Sequence, residues 1–290
     1  FLPRNYWEVV GTFGAVAGEY NGRWFDEKWK KPDDDPDLRA ERLFEEAKAR
    51  QIAAKCLGKP GTVSEESKPS TQSPPLLYDL TSLQREANGR FGFSARTTLS
   101  IAQALYEKHK VLTYPRTDSR ALPEDYIGTV KATLEELSET NAFGGFAREI
   151  LKKKWVGPNK RIFDNSKISD HFAIIPTVAR PKHLNEVEAK LYDLVVRRFL
   201  AVFYPAAEHL VTTRITRVEG EPFKTEGKVL VNPGWLAVYG KEAQGDEPSL
   251  VPVKVREVVT TGANGAPADT GGRRSFEGLE EVSTDKVDVN

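Results

Sequence analysis

Methionine is absent from the 290 residues of this chain, and cysteine occurs only once, at Cys56. A lone cysteine cannot close an intramolecular disulfide, and it excludes a zinc site built from several cysteines. We therefore expect a reducing, cytoplasmic setting. Because the chain begins at Phe1 and holds no methionine, we also expect it to be a piece of a longer or processed protein, or a sequence with residues missing.

Long apolar runs are also missing. The most apolar stretch, LYDLVVRRFLAVFY at 191–204, is interrupted by Arg197 and Arg198, so no membrane-spanning helix is expected. The opening FLPRNYWEVV places tryptophan and glutamate where a secretory signal would have its apolar core. We expect neither a leader peptide nor a membrane partner.

An excess of one charge is lacking as well, because 42 Lys and Arg balance 42 Asp and Glu. The local balance differs: residues 84–120 carry seven basic side chains against three acidic ones, and KKK follows at 152–154. Basic segments in a neutral protein can mark a surface that faces phosphates, although a merely solvated face is the commoner explanation.

The order of patterns along the chain predicts an α+β fold. Residues 1–30 alternate like strands, and strand patterns return after Pro205. Between them the periodicity is helical. The predicted helices are 37–56, 94–109 with a Ser94 N-cap, 123–139, 146–155 and 185–203, and the predicted strands include a short one from 61, then 209–218, 221–231 and 235–240. A helical domain inserted into a β-rich one would give this order; the tail from about 257 is Gly-rich and partly irregular.

The stretch VLTYPRTDSR at 111–120 concentrates chemically useful side chains. Pro115 favours an extended backbone at Tyr114, so the chain leaves the preceding helix there. A free phenol ionises near pH ~10, but neighbouring guanidinium charge favours the phenolate and can also grip phosphate oxygens. Tyr114 is thus equipped to attack a phosphodiester or to bind one. The plain alternative is that Tyr114 packs at a helix end while Arg116 and Arg120 pair with Asp118.

The neighbouring motifs resemble the active-site region of type IA DNA topoisomerases. LYDLTSLQ at 77–84, FGFSARTTLSIAQALYE at 91–107, YPRTDS at 114–119 and SDHFAIIPT at 169–177 occur in the family's order. The stretch KRIFDNSKISDHFAIIPT at 160–177 is most similar to the topoisomerase III branch. The resemblance covers residues 1 to about 255, and two boxes in the right order make it specific.

The resemblance implies an activity and names its residues. Tyr114 matches the nucleophile that breaks one DNA strand and becomes esterified to the 5′ phosphate, so that religation needs no ATP. Arg116 matches the arginine that steadies the scissile phosphate, and His171 matches the histidine of the second box, which contacts phosphate. The remaining candidates for supporting or DNA-contacting roles are Thr117, Asp118, Ser119, Lys167, Ser169, Thr177, Arg96 and Gln84. Phe91, Phe93 and Phe172 could stack on bases, but core packing is the better prediction, and His109, His183 and His209 are expected to be structural.

The resemblance also implies an architecture and a missing part. We expect a β-rich arch at 1–78 and 207–290, with an inserted, mainly helical domain of the winged-helix or CAP-like kind at 79–206 carrying the tyrosine. The family's Mg²⁺ is held by a toprim domain that we do not find, so the chain resembles a central fragment that binds no metal and cleaves poorly or not at all alone. The one acidic motif with metal-like alternation, Asp33, Asp35 and Asp37, is better explained as a solvated loop.

The expected partner is DNA, mainly single-stranded, and the expected state is a monomer. One alternative is a non-catalytic DNA-binding module that reads DNA with a helix-turn-helix-like element. A tyrosine recombinase or relaxase would also form a phosphotyrosine link, but it needs a dispersed arginine–histidine set or a three-histidine metal site, and neither pattern appears.

Overall fold

The computed structural model describes residues 5–31, 38–240, 250, 258–261 and 279–282. The acidic residues Asp33, Asp35 and Asp37, and most of the tail after 257, lie outside that part of the chain. Two compact units are present. The first, here called the sheet unit, lies within Phe1–Ser70, His209–Val229 and Asp246–Asn290; the second, the helical unit, comprises Thr71–Glu208 and Leu230–Gly245.

The strands that the structure describes form one seven-stranded antiparallel sheet, in which the first and the sixth strand of the spatial order also pair with each other. They are β1 (Tyr6–Ala15), β2 (Gly18–Trp24), β3 (Pro60–Gln72), β4 (Ala207–Val218), β5 (Glu221–Asn232), β6 (Val258–Thr261) and β7 (Leu279–Val282). Their order is β2-β5-β4-β3-β6-β1-β7, and an additional β1–β2 pairing links the two ends of the first six. The α+β prediction is confirmed, because this sheet accompanies a separate set of helices.

Aromatic side chains fill the sheet unit's core. The ring of Phe13 lies 5.4 Å from the rings of both Tyr20 and Phe223, measured between centroids. Gly11 and Gly22 face each other across β1 and β2, and a Cβ on Gly11 would approach the Phe13 ring to 2.8 Å. Glycine at these positions therefore lets a large ring lie flat against the two strands.

Helices dominate the helical unit, whereas α1 lies in the sheet unit. The α-helices of the described residues are α1 (Glu46–Cys56), α2 (Leu80–Phe91), α3 (Ala95–Glu107), α4 (Ile127–Ser138), α5 (Gly144–Lys153) and α6 (Glu186–Phe203). The N-caps explain their starts: Asp79, Ser94 and Asn185 each accept a hydrogen bond from the backbone N–H three residues on. The predicted cap of α3 is thereby confirmed. Apolar side chains of α2 to α6 meet in one core.

Three predicted elements differ from the structure. The helix expected over 37–56 begins only at Glu46, because Leu43 and Trp7 exchange backbone hydrogen bonds of 2.7 and 2.9 Å, which hold residue 43 in an extended bridge. The strand expected over 235–240 is a 3₁₀ helix, Gly234–Tyr239. The short strand expected from 61 runs on as β3 through Gln72.

The core of the helical unit contains a stacked arginine beneath the segment that leads into α2. The Arg198 guanidinium lies 4.1 Å from the centre of the Tyr78 ring. It donates to the Leu76 carbonyl at 3.0 Å and forms an ion pair with Glu86. Tyr78 in turn pairs with Ile174, whose N–H donates to the Tyr78 carbonyl at 2.8 Å. This network fixes the backbone beside the SDHFAIIPT motif at 169–177.

Candidate active site around Tyr114

Two chain segments build the site, and both lie in the helical unit. We call residues 110–121 the tyrosine segment and residues 167–177 the histidine segment. Backbone hydrogen bonds join them: the Thr113 N–H donates to the Ile175 carbonyl at 3.0 Å, and the Thr177 N–H donates to the Val111 carbonyl at 3.0 Å. The pairing therefore brings the two sequence boxes side by side.

Hydroxyl side chains strengthen this pairing from the tyrosine segment. Thr117 Oγ1 donates to the His171 carbonyl at 2.9 Å, and Ser119 Oγ donates to the Lys167 carbonyl at 2.8 Å. Both hydroxyl residues are buried. Because the amide N–H of Ser119 donates in turn to Thr117 Oγ1 at 3.1 Å, the Thr-Asp-Ser run is held in one conformation.

The phenol of Tyr114 and the imidazole of His171 are in contact. Their ring centroids are 4.3 Å apart with planes at 45°. Tyr106 on α3 also contacts the Tyr114 ring, edge-on with 5.4 Å between centroids. Tyr114 is half-buried and His171 is exposed, so the pair is held by packing and remains accessible to a ligand.

The two arginines of the tyrosine segment have different surroundings. Arg120 donates through Nε to Asp79 at 2.7 Å, at the N-terminus of α2, so its ion pair is not the one with Asp118 that the plain alternative suggested. Arg116 is exposed, and Gln103 on α3 holds it: with the carboxamide oxygen facing the guanidinium, that oxygen accepts from Nε at 3.2 Å and from Nη2 at 3.1 Å.

Asp118 and Ser169 are exposed and link the two segments at their outer edge. The Ser169 hydroxyl donates to Asp118 Oδ1 at 3.2 Å. Lys167, beside them, is paired with Asp164 at 2.8 Å, and that lysine, with help from Ser166, lowers the pKa of Asp164 to about 2. The structure thus brings Tyr114, Arg116, Thr117, Asp118, Ser119, Lys167, Ser169 and His171 into one pair of joined segments.

Of the other three candidates, Thr177 ends the histidine segment, whereas Gln84 and Arg96 lie on α2 and α3. Gln84 on α2 donates to the Ala95 carbonyl at 3.0 Å, and Thr177 donates to the Lys110 carbonyl at 2.6 Å, so each supports a turn. Arg96 is exposed in the first turn of α3. Their contact with DNA stays a prediction. Phe91, Phe93 and Phe172 pack partly buried against the core, as expected.

The described residues offer no set of side chains that fits a magnesium ion. Within those residues no group of three or more His, Cys, Asp or Glu could hold a metal. The one carboxylate in the tyrosine segment, Asp118, accepts from Ser169 instead. A magnesium site needs several oxygen ligands in near-octahedral geometry, so no chemical step is assigned to a metal here.

Two residues that contact the site were missed by the sequence reading. Gln103 and Tyr106 lie one helical turn apart on α3; Gln103 contacts Arg116, and Tyr106 contacts Tyr114. Their spacing of three was a usable signal, because it places both on one face of a helix. Among the described helices none is both long and apolar enough to cross a bilayer.

A solved structure shares this architecture. The full-length topoisomerase I of Thermotoga maritima superimposes with a TM-score of 0.57 at 21% identity, covering 90% of this chain and 40% of that one. At this identity the likeness shows the fold alone. The fold that the two proteins share is that of the type IA topoisomerases.

Sequence comparison goes further than the fold. A family model described as DNA topoisomerase matches residues 1–268. The DNA topoisomerase 3 of Bacillus subtilis is 42% identical over 251 residues, 85% of this chain and 32% of that protein. The enzyme of the same name from Bacillus cereus is 44% identical over 209 residues, 71% and 28% of the two chains. The chain belongs to the type IA DNA topoisomerase family, in its topoisomerase III branch, and spans about a third of the length of these curated relatives.

Proposed function

We propose that this chain carries the DNA-cleaving tyrosine of a type IA topoisomerase, and that Tyr114 is that residue. The contact between the rings of Tyr114 and His171, at 4.3 Å, supports the proposal most directly. It joins the tyrosine of one family motif to the histidine of the other on an accessible surface.

The proposed reaction is a transesterification. The Tyr114 oxygen attacks a backbone phosphorus of single-stranded DNA, its phenol proton leaves, and an oxygen–phosphorus bond forms. The bond from phosphorus to the 3′ oxygen breaks, and that oxygen takes up a proton to become a hydroxyl. The number of phosphoester bonds is unchanged, so the reverse reaction reseals the strand without ATP.

Positive charge at the site serves both the ground state and the transition state of this reaction. The exposed guanidinium of Arg116 can hold two phosphate oxygens and stabilise the charge that develops on them. His171 lies against the attacking phenol and can donate a hydrogen bond to the same phosphate. Thr117 and Ser119 hold the two segments in register. Asp118, Ser169, Lys167, Arg96, Gln84 and Thr177 are proposed to line the path of the strand.

The domain arrangement expected from the sequence belongs to the same proposal. The arch at 1–78 and 207–290 would carry the domain at 79–206, which moves away with the linked 5′ end while a second strand passes. We propose that the 290 residues alone bind DNA as a monomer in the cytoplasm and cleave it poorly or not at all. Cleavage in the intact relatives would need Mg²⁺ held by other parts of those proteins.

A covalent-trapping experiment tests the proposal. Single-stranded DNA labelled at its 3′ end is incubated with the chain, Mg²⁺ and the remaining parts of a full-length relative, and is then resolved on a denaturing protein gel. We expect a labelled protein band that Tyr114→Phe abolishes. Because the link is to the 5′ phosphate, DNA labelled at its 5′ end should give no band.

Two outcomes would contradict the proposal. A labelled band that survives Tyr114→Phe would assign the nucleophile to another residue. Binding of single-stranded DNA without any covalent band, when the intact relative gives one under the same conditions, would favour the alternative of a non-catalytic DNA-binding module.

A further inference from the structure

Gln103 lies beside the site and has no role in the predictions made from the sequence. It is half-buried on α3. The donors that face it assign its carboxamide with the oxygen toward Arg116, and in that orientation the oxygen accepts from Nε at 3.2 Å and from Nη2 at 3.1 Å. One turn further along, Tyr106 meets the ring of Tyr114 edge-on. A single face of α3 therefore contacts both Arg116 and Tyr114.

The two hydrogen bonds leave part of the guanidinium free for a ligand. An arginine has five N–H donors in a planar fork. When one oxygen accepts from Nε and from one N–H of Nη2, both N–H groups of Nη1 and the second of Nη2 remain. One N–H of Nη1 and the second N–H of Nη2 lie side by side along the outer edge of the plane, which is the geometry that binds two oxygens of a phosphate. The other N–H of Nη1 points back toward the side-chain stem.

The neutrality of the carboxamide matters as much as its position. A carboxylate at the same place would form an ion pair with Arg116 and compete with phosphate for the guanidinium. A glutamine orients the group through hydrogen bonds while leaving its full positive charge available to DNA. An apolar side chain would preserve the charge but would leave the long side chain free to rotate.

We propose that Gln103 is a positioning residue that presents the Nη1–Nη2 edge of Arg116 to a DNA phosphate without neutralising its charge. This inference rests on the proposed function, since it assumes that Arg116 contacts a phosphate. It predicts that a substitution of Gln103 changes the affinity for DNA only when Arg116 is present.

The salt dependence of single-stranded DNA binding tests this directly. Each phosphate contact contributes about 0.7 to the slope of log K against log salt concentration for a single strand. We expect Gln103→Glu and Arg116→Gln each to lower the slope by about 0.7, and the double variant to show no further loss. Gln103→Met should keep the slope and weaken binding by about 3- to 10-fold, because an unfixed side chain must be ordered on binding.

Matched controls separate positioning from folding and from general charge. Gln51→Glu makes the same charge change on the exposed face of α1, and we expect it to leave both slope and affinity within about 2-fold of the wild type. Circular dichroism melts of every variant identify loss of structure. If Gln103→Glu does not fold, Gln103→Met in the Arg116→Lys background replaces it: lysine cannot use the two-donor geometry, so the Met substitution should then have no effect.

The outcomes distinguish the inference from the function on which it rests. If the wild-type chain does not bind single-stranded DNA, or if Arg116→Gln leaves the slope unchanged, the proposed role of Arg116 fails. If Arg116→Gln lowers the slope but Gln103→Glu does not, or lowers it equally in the Arg116→Gln background, only the role of Gln103 is overturned.

Discussion

The imidazole of His171 lies against the phenol of Tyr114, with 4.3 Å between ring centroids, although the two residues come from separate segments. Backbone pairing and the Thr117 hydroxyl bond to the His171 carbonyl fix this relationship. The histidine is therefore held beside the proposed nucleophile before any DNA is bound.

His171→Phe tests whether the imidazole contributes chemistry or only a flat ring. Phenylalanine can keep the ring contact but has no N–H donor. We expect the rate of covalent adduct formation in the trapping experiment to fall about 100-fold, as when one donor to a developing charge is removed. His171→Ala, which removes the ring as well, should be at least as slow. A His171→Phe protein that reacts at the wild-type rate would show that the ring only packs.

Thr117→Val tests the hydroxyl that joins the two segments. The change keeps the side-chain shape but removes the donor to the His171 carbonyl and the acceptor for the Ser119 N–H. Leaving such buried groups unpaired should lower the free energy of unfolding by about 1–3 kcal/mol, measured by urea denaturation. Thr129→Val, on the exposed surface of α4, should change it by less than about 0.5 kcal/mol. Equal effects of the two substitutions would contradict the assigned role.

Asp79 gives the helical unit a specific dependence on acid. Burial raises the pKa of its carboxyl, but hydrogen bonds from Ser82 and the Arg120 guanidinium outweigh burial, and the folded pKa lies below the ordinary 3.8. A depressed pKa contributes stability that is present above the unfolded value and is lost as the pH falls through the folded one. We therefore expect acid unfolding to begin below about pH 3.8 partly through this group.

The matched variant is Asp79→Asn, which keeps a capping oxygen for α2 but cannot ionise. The stability difference between wild type and Asp79→Asn, measured by urea denaturation from pH 7 to pH 2, should shrink as the pH falls. A difference that stays constant over this range would show that the charge of Asp79 does not stabilise the fold.

Cys56 should behave as an inert thiol while the sheet unit is folded. It is fully buried, and burial raises its pKa from 9.0 to about 12. The thiolate is the reactive form, so a thiol reagent at pH 8 should react very slowly in buffer and rapidly in denaturing urea. Fast reaction of the folded protein would contradict the buried position.

The same shift predicts a loss of stability in base. Because the folded pKa is raised, the unfolded chain releases the thiol proton first, and stability falls as the pH rises from about 9 towards about 12. Cys56→Ala lacks this group, so its stability should fall less steeply over that range than the wild type. Parallel curves for the two proteins would mean that Cys56 does not contribute to the alkaline loss.

Local signals allowed much of the helical unit to be predicted. The side chains of Ser94 and Asn185 cap the helices that follow them, α3 and α6. Each capping bond joins residues three apart in the sequence, so a local pattern is enough to predict it. The helix expected from 37 was wrong in its first half because Leu43 pairs with Trp7, a contact that no local pattern contains. The exposed second half of β3 was missed for a related reason, since a strand can be held by backbone pairing without apolar side chains.

By itself, the sequence determined the family, the α+β class and the identity of the motifs that hold Tyr114, Arg116 and His171, because these depend on residue types in a fixed order. Only the tertiary structure decided that Arg120 pairs with Asp79, that Gln103 holds Arg116 and that His171 packs against Tyr114. Such contacts depend on distances across separate segments of the folded chain. Sequence order does not specify those distances until backbone pairing and core packing have set them.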